Sequence, residues 1–200
     1  FNAGDGNTLY DHSGNRNHGA INGATWAGCT DPLADNYLPD AELDDGSCVG
    51  SPVNSSDFTY AGELEGHYYY LSNIESGWNA SNNLANQNNG YLVTINDTIE
   101  NSFIHQIHQE YHNFANSSIW MGLFQNTESD LYYEPTGGWE WINGEGLLYQ
   151  NWGNGEPNDN LSDEDCGEIS LSQQWNDLPC SEPHYSIIEI HPGCTDELAC

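Results

Sequence analysis

Residues 151–180, NWGNGEPNDNLSDEDCGEISLSQQWNDLPC, constrain this chain more than any other stretch. Glu156, Asn158, Asp159, Asp163, Glu164, Asp165, Asn176 and Asp177 crowd into it, framed by Trp152, Trp175, Cys166 and Cys180, with no Lys or Arg among them. These are hard oxygen donors, the side-chain chemistry that Ca²⁺ prefers. Pro157 stands between Glu156 and Asn158, and X-Pro is the one place where a cis bond is cheap. A cis bond there would aim both side chains at one point. Trp175-Asn176-Asp177 has the alternation of a strand with its polar end meeting the loop. A bridge between Cys166 and Cys180 would tie that strand to the loop.

The remainder supplies a core for such a loop to sit on. From Phe58 onward the composition turns apolar and aromatic. Tyr68-Tyr69-Tyr70-Leu71 reads as a strand. Ser76 is placed to cap a helix carrying Trp78, Leu84 and Ala85, which Asn89-Gly90 would stop. Tyr91-Leu92-Val93-Thr94-Ile95 is the next apolar run. A second helix would carry Ile99, Phe103, Ile107, Tyr111 and Phe114 on one face. Ile119-Trp120-Met121-Gly122-Leu123 reads as a buried strand and Trp139-Glu140-Trp141 as a two-faced one. Two helices, short strands and a long acidic loop make an α+β layout.

Three clusters in order, Glu156-Pro157-Asn158, Glu164-Asp165-Cys166 and Trp175-Asn176-Asp177 with Cys180, resemble the calcium and sugar site of a C-type lectin domain. The resemblance covers about residues 58–190, and Trp120-Met121-Gly122-Leu123 is similar to that family's hallmark strand. It implies a C-type lectin-like domain over 58–191, with two helices, short antiparallel sheets and a long calcium-binding loop. It implies a primary Ca²⁺ held by Glu156, Asn158, Glu164, Asn176 and Asp177, the same side chains hydrogen-bonding two vicinal sugar hydroxyls. A second Ca²⁺ near Asp159, Glu164 and Asp165 is implied too. Its remaining ligand would come from the loop after the hallmark strand, where Gln125 stands near an expected Asp. Glu-Pro-Asn, rather than Gln-Pro-Asp, implies equatorial 3- and 4-hydroxyls, as in mannose, fucose, N-acetylglucosamine or glucose. The sequence departs from the family at one long disulfide, whose positions correspond to Ala85 and Ile188. Such a bridge is worth about 2–5 kcal/mol where native, so packing around Trp78, Trp120 and Ile188 has to offset it.

Smaller pieces flank this domain. Residues 1–27 are rich in Gly, Asn and Asp, and Asp11 to Trp26 resembles the opening of a laminin-G or concanavalin-like module. Gly28 to Asp35 is echoed at Gly193 to Cys200, matching at six of eight positions. Both copies resemble an Asp-rich, Cys-bounded repeat of large secreted bacterial proteins. The first, residues 28–49, reads as a solvated spacer despite Asp31, Asp35, Asp40, Asp44 and Asp45, because EF-hand spacing is not met. The second, 192–200, reads as the start of another copy, and 50–57 as a polar linker. Six cysteines without CxxC pairs point to an oxidising compartment. Nearest-neighbour pairing, Cys29–Cys48 and Cys166–Cys180, is the expected arrangement, with Cys194 and Cys200 left open.

One basic residue, Arg16, stands against 31 Asp and Glu, a formal charge of −30. Such a balance repels nucleic acid and anionic membrane and favours divalent cations; most of it fits adaptation to salty surroundings. No apolar segment long enough to span or insert into a membrane occurs in the sequence, and a chain beginning at Phe1 reads as part of a longer one with further domains. His105, His108 and His112 share helical spacing but read as a wet face opposite the apolar stripe. No Ser/His/Asp or Cys/His constellation stands out, and the paired carboxylates lie in a loop that also supplies amides, as metal coordination requires and a glycosidase dyad does not. The expected protein is thus no enzyme but a secreted or surface adhesin module that binds glycans of cell surfaces or extracellular polysaccharide. The alternative is a lectin-like domain for a protein or an ice surface, with calcium only structural.

Overall fold

The computed structural model describes residues 8–9, 19–20, 26–111 and 118–191. His112, Phe114, Arg16, most of the 1–27 fragment and the second repeat with Cys194 and Cys200 lie outside the described residues. The chain forms two units, Phe1–Ser51 and Pro52–Cys200.

In the first unit, β1 (Thr8–Leu9) pairs with β2 (Gly19–Ala20), and β3 (Ala27–Gly28) runs parallel to β4 (Leu43–Asp44). The Cys29–Cys48 disulfide closes it, with Cys29 only 1% exposed. Its carboxylates serve its own turns. Asp31 accepts the N–H of Leu33 at 2.9 Å, Asp44 that of Gly46 at 2.9 Å and Asp45 that of Ser47 at 3.0 Å. Side-chain acceptors closing tight turns are the ordinary use of Asp in a loop-rich segment.

The second unit is built on an eight-stranded sheet. A hairpin of β5 (Phe58–Leu64) and β6 (His67–Ser72) turns at Glu65-Gly66, both at positive φ, the pairing that suits strand twist. Next come α1 (Trp78–Gln87), β7 (Tyr91–Leu92), α2 (Thr98–Tyr111), β8 (Ile119–Gln125) and β9 (Trp139–Trp141). The last described elements are β10 (Cys166–Ile169), β11 (Trp175–Leu178) and β12 (Tyr185–Ile190). The strand order is β11-β10-β8-β12-β6-β5, with β7 on β12 and β9 on β8; only β8 and β12 pair in parallel within this sheet. Of the expected linker, Pro52–Asp57 groups with this unit: the Asn54 N–H donates to Asn88 Oδ1 at 2.8 Å and Val53 is buried.

The core joins Tyr69, Val93, Ile95, Ile104, Ile107, Met121, Leu123, Trp139, Trp141, Trp175 and Ile187. Gly122 lets β7 come close: its N–H donates to Val93 O at 2.8 Å, and a Cβ there would lie 2.4 Å from Leu92 O. Ala85 and Ile188, standing where a long bridge was expected, are both fully buried. Two indoles stitch the α1 region to β8. Trp78 Nε1 donates to Met121 O at 2.7 Å, and Trp120 Nε1 donates to Ser76 O at 3.0 Å.

Three local expectations need correction. Ser76 does not cap α1; Gly77 holds that position, and the Ser76 hydroxyl bonds the Ser81 hydroxyl at 2.8 Å. The inward face of α2 is Asn101, Ile104, Ile107 and His108 rather than the Ile99/Phe103 stripe, for Ile99 is 60% exposed and Phe103 half-buried. His108 is therefore fully buried and no part of a wet face. Asp97 caps α2, accepting the N–H of Ile99 at 2.8 Å and of Glu100 at 2.9 Å.

Candidate functional site

The acidic loop rises from an aromatic floor. Trp152 and Trp175 form an isolated parallel bridge, Trp175 N–H donating to Asn151 O and Gly153 N–H to Trp175 O, both at 2.8 Å. Ring centroids lie 4.9 Å apart for Trp139–Trp152, 5.6 Å for Trp141–Trp175, 5.7 Å for Tyr149–Trp175 and 5.9 Å for Trp152–Trp175, all edge-on. Such contacts hold rings more firmly than burial alone. The buried Trp175 Nε1 donates to Asn101 Oδ1 of α2 at 2.8 Å. The Cys166–Cys180 disulfide, with Cα atoms 5.2 Å apart, joins the start of β10 to the segment after β11.

On that floor the carboxylates organise the loop backbone. Asp177, fully buried on β11, accepts the Asn158 N–H at 3.0 Å on each oxygen and the Asp159 N–H at 2.8 Å. Glu164, 6% exposed, accepts the Asn160 N–H at 2.8 Å, while Asp159 Oδ1 accepts the Glu164 N–H at 3.3 Å. The Glu156–Pro157 bond is cis, and Asn158 Nδ2 donates to Glu156 Oε2. Glu156, Asn158, Asp159, Glu164 and Asp177 thus interlock. Asn176 stands apart from that knot: its Nδ2 donates to Glu168 Oε1 at 3.2 Å.

The electrostatics are one-sided. Burial pushes the Glu164 carboxyl up from its ordinary value; the Asn160 N–H opposes this, while the charges of Asp177, Glu156 and Asp159 add to it. Glu156 is raised by burial and by Asp177 against the Asn158 amide. Asp165 is raised by burial and by Glu134, Asp159 and Asp163. The described residues include no Lys or Arg to answer these charges. No three Asp, Glu, His or Cys side chains among the described residues form a ready cluster for a metal. The donor set here instead mixes carboxylates with the Asn158 and Asn176 amides, and a mixed set of hard oxygens is what calcium accepts.

Comparison with known proteins places the chain. A family profile described as "Lectin C-type domain" matches residues 74–189. The mouse CD209 antigen-like protein C is 36% identical over 138 residues, 67% of this chain and 70% of that relative. Human C-type lectin domain family 17, member A is 30% identical over 131 residues, 66% of this chain but 31% of that protein. The chain belongs to the C-type lectin domain family. Among solved structures, the cow CD23 carbohydrate-recognition domain, determined in the presence of a GlcNAc2Man3 oligosaccharide, is 26% identical with a TM-score of 0.54 over 71% of this chain and 98% of that one. Human lithostathine, 20% identical, shares the fold with a TM-score of 0.57 over 69% of this chain and 98% of that one.

The fold of the second unit is therefore the C-type lectin fold, with two helices, short strands and the Cys166–Cys180 disulfide. Members of this family are binding proteins rather than enzymes, commonly bind carbohydrate with Ca²⁺, and are often found at cell surfaces or secreted. No described helix of this chain is long and apolar enough to cross a membrane.

Two residues at this candidate site escaped sequence reasoning. Glu134, in the loop between β8 and β9, accepts the Tyr132 hydroxyl and faces Asp165. Glu168 lies opposite Asn176 in the β10–β11 register. Strand alternation through Cys166-Gly167-Glu168 could have flagged Glu168; nothing in the sequence pointed to Glu134. Gln125, the position near an expected Asp, is 4% exposed, and its Nε2 donates to Gly137 O at 2.7 Å, so its amide holds the 126–138 loop.

Proposed function

We propose that this lectin domain binds carbohydrate in a calcium-dependent manner, taking sugars with equatorial 3- and 4-hydroxyls such as mannose, fucose, N-acetylglucosamine or glucose. The single observation that carries the reading is the interlocked knot of Glu156, Asn158, Glu164 and Asp177, in which Glu164 and Asp177 are buried, the Glu156 and Glu164 carboxyls are raised, and no Lys or Arg among the described residues answers them. Glu156, Asn158, Glu164, Asn176 and Asp177 would hold the primary ion. Asp159 and Asp165, with Glu164, would border a second.

Calcium accepts about 6–8 oxygens, so five protein side chains leave valences for two vicinal hydroxyls. The residues do the rest. Asp177 keeps Asn158 and Asp159 in place through their backbone N–H groups. Glu156 and Glu164 accept hydrogen bonds from sugar hydroxyls, and the second N–H of each Asn amide donates to a hydroxyl oxygen. Charge-assisted bonds of this kind are the strong ones, and their donor and acceptor order selects the diol. A shallow exposed site holds one sugar weakly, and repeated copies raise the avidity. The setting that suits these properties is a secreted or surface adhesin, with glycans of cell surfaces or extracellular polysaccharide as partners and further domains on a longer chain.

Binding to immobilised mannose-type glycans should vanish with EDTA and return with calcium. Glu156→Gln and Asn158→Asp should each weaken mannose by more than galactose. A glycan surface left bare at millimolar calcium, with binding to a protein or to ice instead, would replace this reading by one in which calcium is structural.

A further inference from the structure

We propose that Glu168 is a positioning residue for Asn176: its buried carboxylate captures the Asn176 amide nitrogen and so turns the amide oxygen to the ligand side of β11. This deepens the function proposed above and rests on it.

Glu168 is costly where it stands. It is 5% exposed on β10, between Trp120 of β8 and Asn176 of β11 in the strand register. Burial raises its carboxyl against hydrogen bonds from Ser118 and Asn176, and no Lys or Arg among the described residues compensates. Among the described residues the basic group beside it is His184 Nε2, 3.8 Å from Oε2, itself turned edge-on to the Trp120 ring. A buried carboxylate without a full counter-charge among the described residues is costly relative to an apolar residue of similar size, even with these hydrogen bonds. Its direct partner at the site is the Asn176 amide, donating Nδ2 to Oε1 at 3.2 Å.

That bond makes a choice the amide does not make for itself. The two ends of an Asn side chain are close to isosteric, and only the hydrogen-bond network decides which way the group faces. An ionised carboxylate accepts and never donates, so the flipped amide would set oxygen against oxygen and lose the bond. β11 has β10 on one side and Asn151–Gly153 on the other. Glu156, whose N–H donates to Gly153 O at 3.1 Å, belongs to that second side. With its nitrogen anchored toward β10, Asn176 offers its oxygen toward the side of Glu156. A hard cation binds the oxygen of an amide, not the nitrogen.

The test uses the whole chain with Glu168→Leu, Glu168→Gln, Asn176→Asp and the double change Glu168→Gln/Asn176→Asp. Calorimetry reads calcium and mannose affinity. Thermal unfolding and the Asn176 side-chain NH2 signals in NMR are read without calcium. Glu168→Leu should weaken calcium about 10–100-fold, the usual cost of losing a group that orients a ligand, while leaving the calcium-free unfolding midpoint unchanged or raised. Glu168→Gln, which still accepts through its amide oxygen, should recover most of the affinity and keep the Asn176 NH2 signals in place. Asn176→Asp sets two carboxylates face to face and should weaken calcium, and the double change should restore it. Calcium binding by Glu168→Leu at the original strength overturns the inference alone. So does an equal loss in Glu168→Gln and Glu168→Leu, which would make the charge and not the orientation the cause. An unaltered protein that binds neither calcium nor mannose overturns the proposed function and this inference together.

Discussion

Trp175 shows how one residue ties the candidate site to the body of the molecule. Its backbone carries the bridge to Trp152, its ring meets Trp141, Tyr149 and Trp152, and its indole N–H reaches Asn101 on α2. Asn101 is 1% exposed and also donates to Gln173 O at 3.2 Å, so one amide secures both the strand and the turn before it. Asn101→Ala leaves the buried indole donor unmatched, at about 1–3 kcal/mol, while Gln173 O keeps the Asn151 amide at 2.7 Å. The expected drop in unfolding midpoint is about 2–4 °C per kcal/mol for a domain of this size, measured without calcium. A midpoint unmoved by Asn101→Ala would mean that the indole bond holds nothing. Residues of this kind were half legible. Trp175-Asn176-Asp177 announces itself by being contiguous, whereas Glu168 and Asn101 enter through pairing register and helix rotation, which no local pattern encodes.

Elements were more legible than their faces. Both helices and most of the strands were readable because aromatic and β-branched runs alternate with helical spacing and Gly- or Asn-rich stops. The inward side of α2 was misread because Ile99/Phe103/Ile107 and Ile104/Ile107/His108 both recur at helical spacing, and the sheet decides between them. Ile104→Ala should cost about 2–5 kcal/mol as a core truncation, and Ile99→Ala should stay within about 0.5 kcal/mol as a surface change; chemical denaturation of the two variants checks the helix rotation. Where α2 meets the sheet, a titrating corner was invisible in sequence. Glu189, 1% exposed on β12, pairs with His67 and accepts the Tyr91 hydroxyl at 3.0 Å, and nearby Glu100 accepts the Tyr69 hydroxyl at 2.9 Å. Burial lifts Glu100 to about 7, and the Glu189 partner lifts His67. For both groups the folded form holds its proton more tightly than the unfolded one. Their contribution is therefore greatest in mild acid and is lost as pH rises through the folded values. The calcium-free unfolding midpoint should rise on going from about pH 8 to about pH 5.5, and Glu100→Gln should flatten that rise. A midpoint that falls over the same interval would contradict it.

At the scale of the whole molecule, a formal charge of −30 sets the terms. Self-repulsion of that size destabilises any compact state and is screened by salt. The calcium-free protein should therefore unfold at a higher temperature in molar sodium chloride than at low ionic strength. Calcium should add a larger increment than magnesium, because a mixed loop of carboxylates and amides suits the bigger, less demanding ion. Equal increments from the two ions would point to general screening and leave the acidic loop without a specific role. The most direct measurement is calorimetric titration of the chain with mannose and with galactose, each with calcium and with EDTA. A ligand loop that closes around calcium and reads an equatorial diol gives heat with mannose in calcium and none in the other three titrations. Mannose heat that persists in EDTA, or no heat with either sugar in saturating calcium, would contradict it.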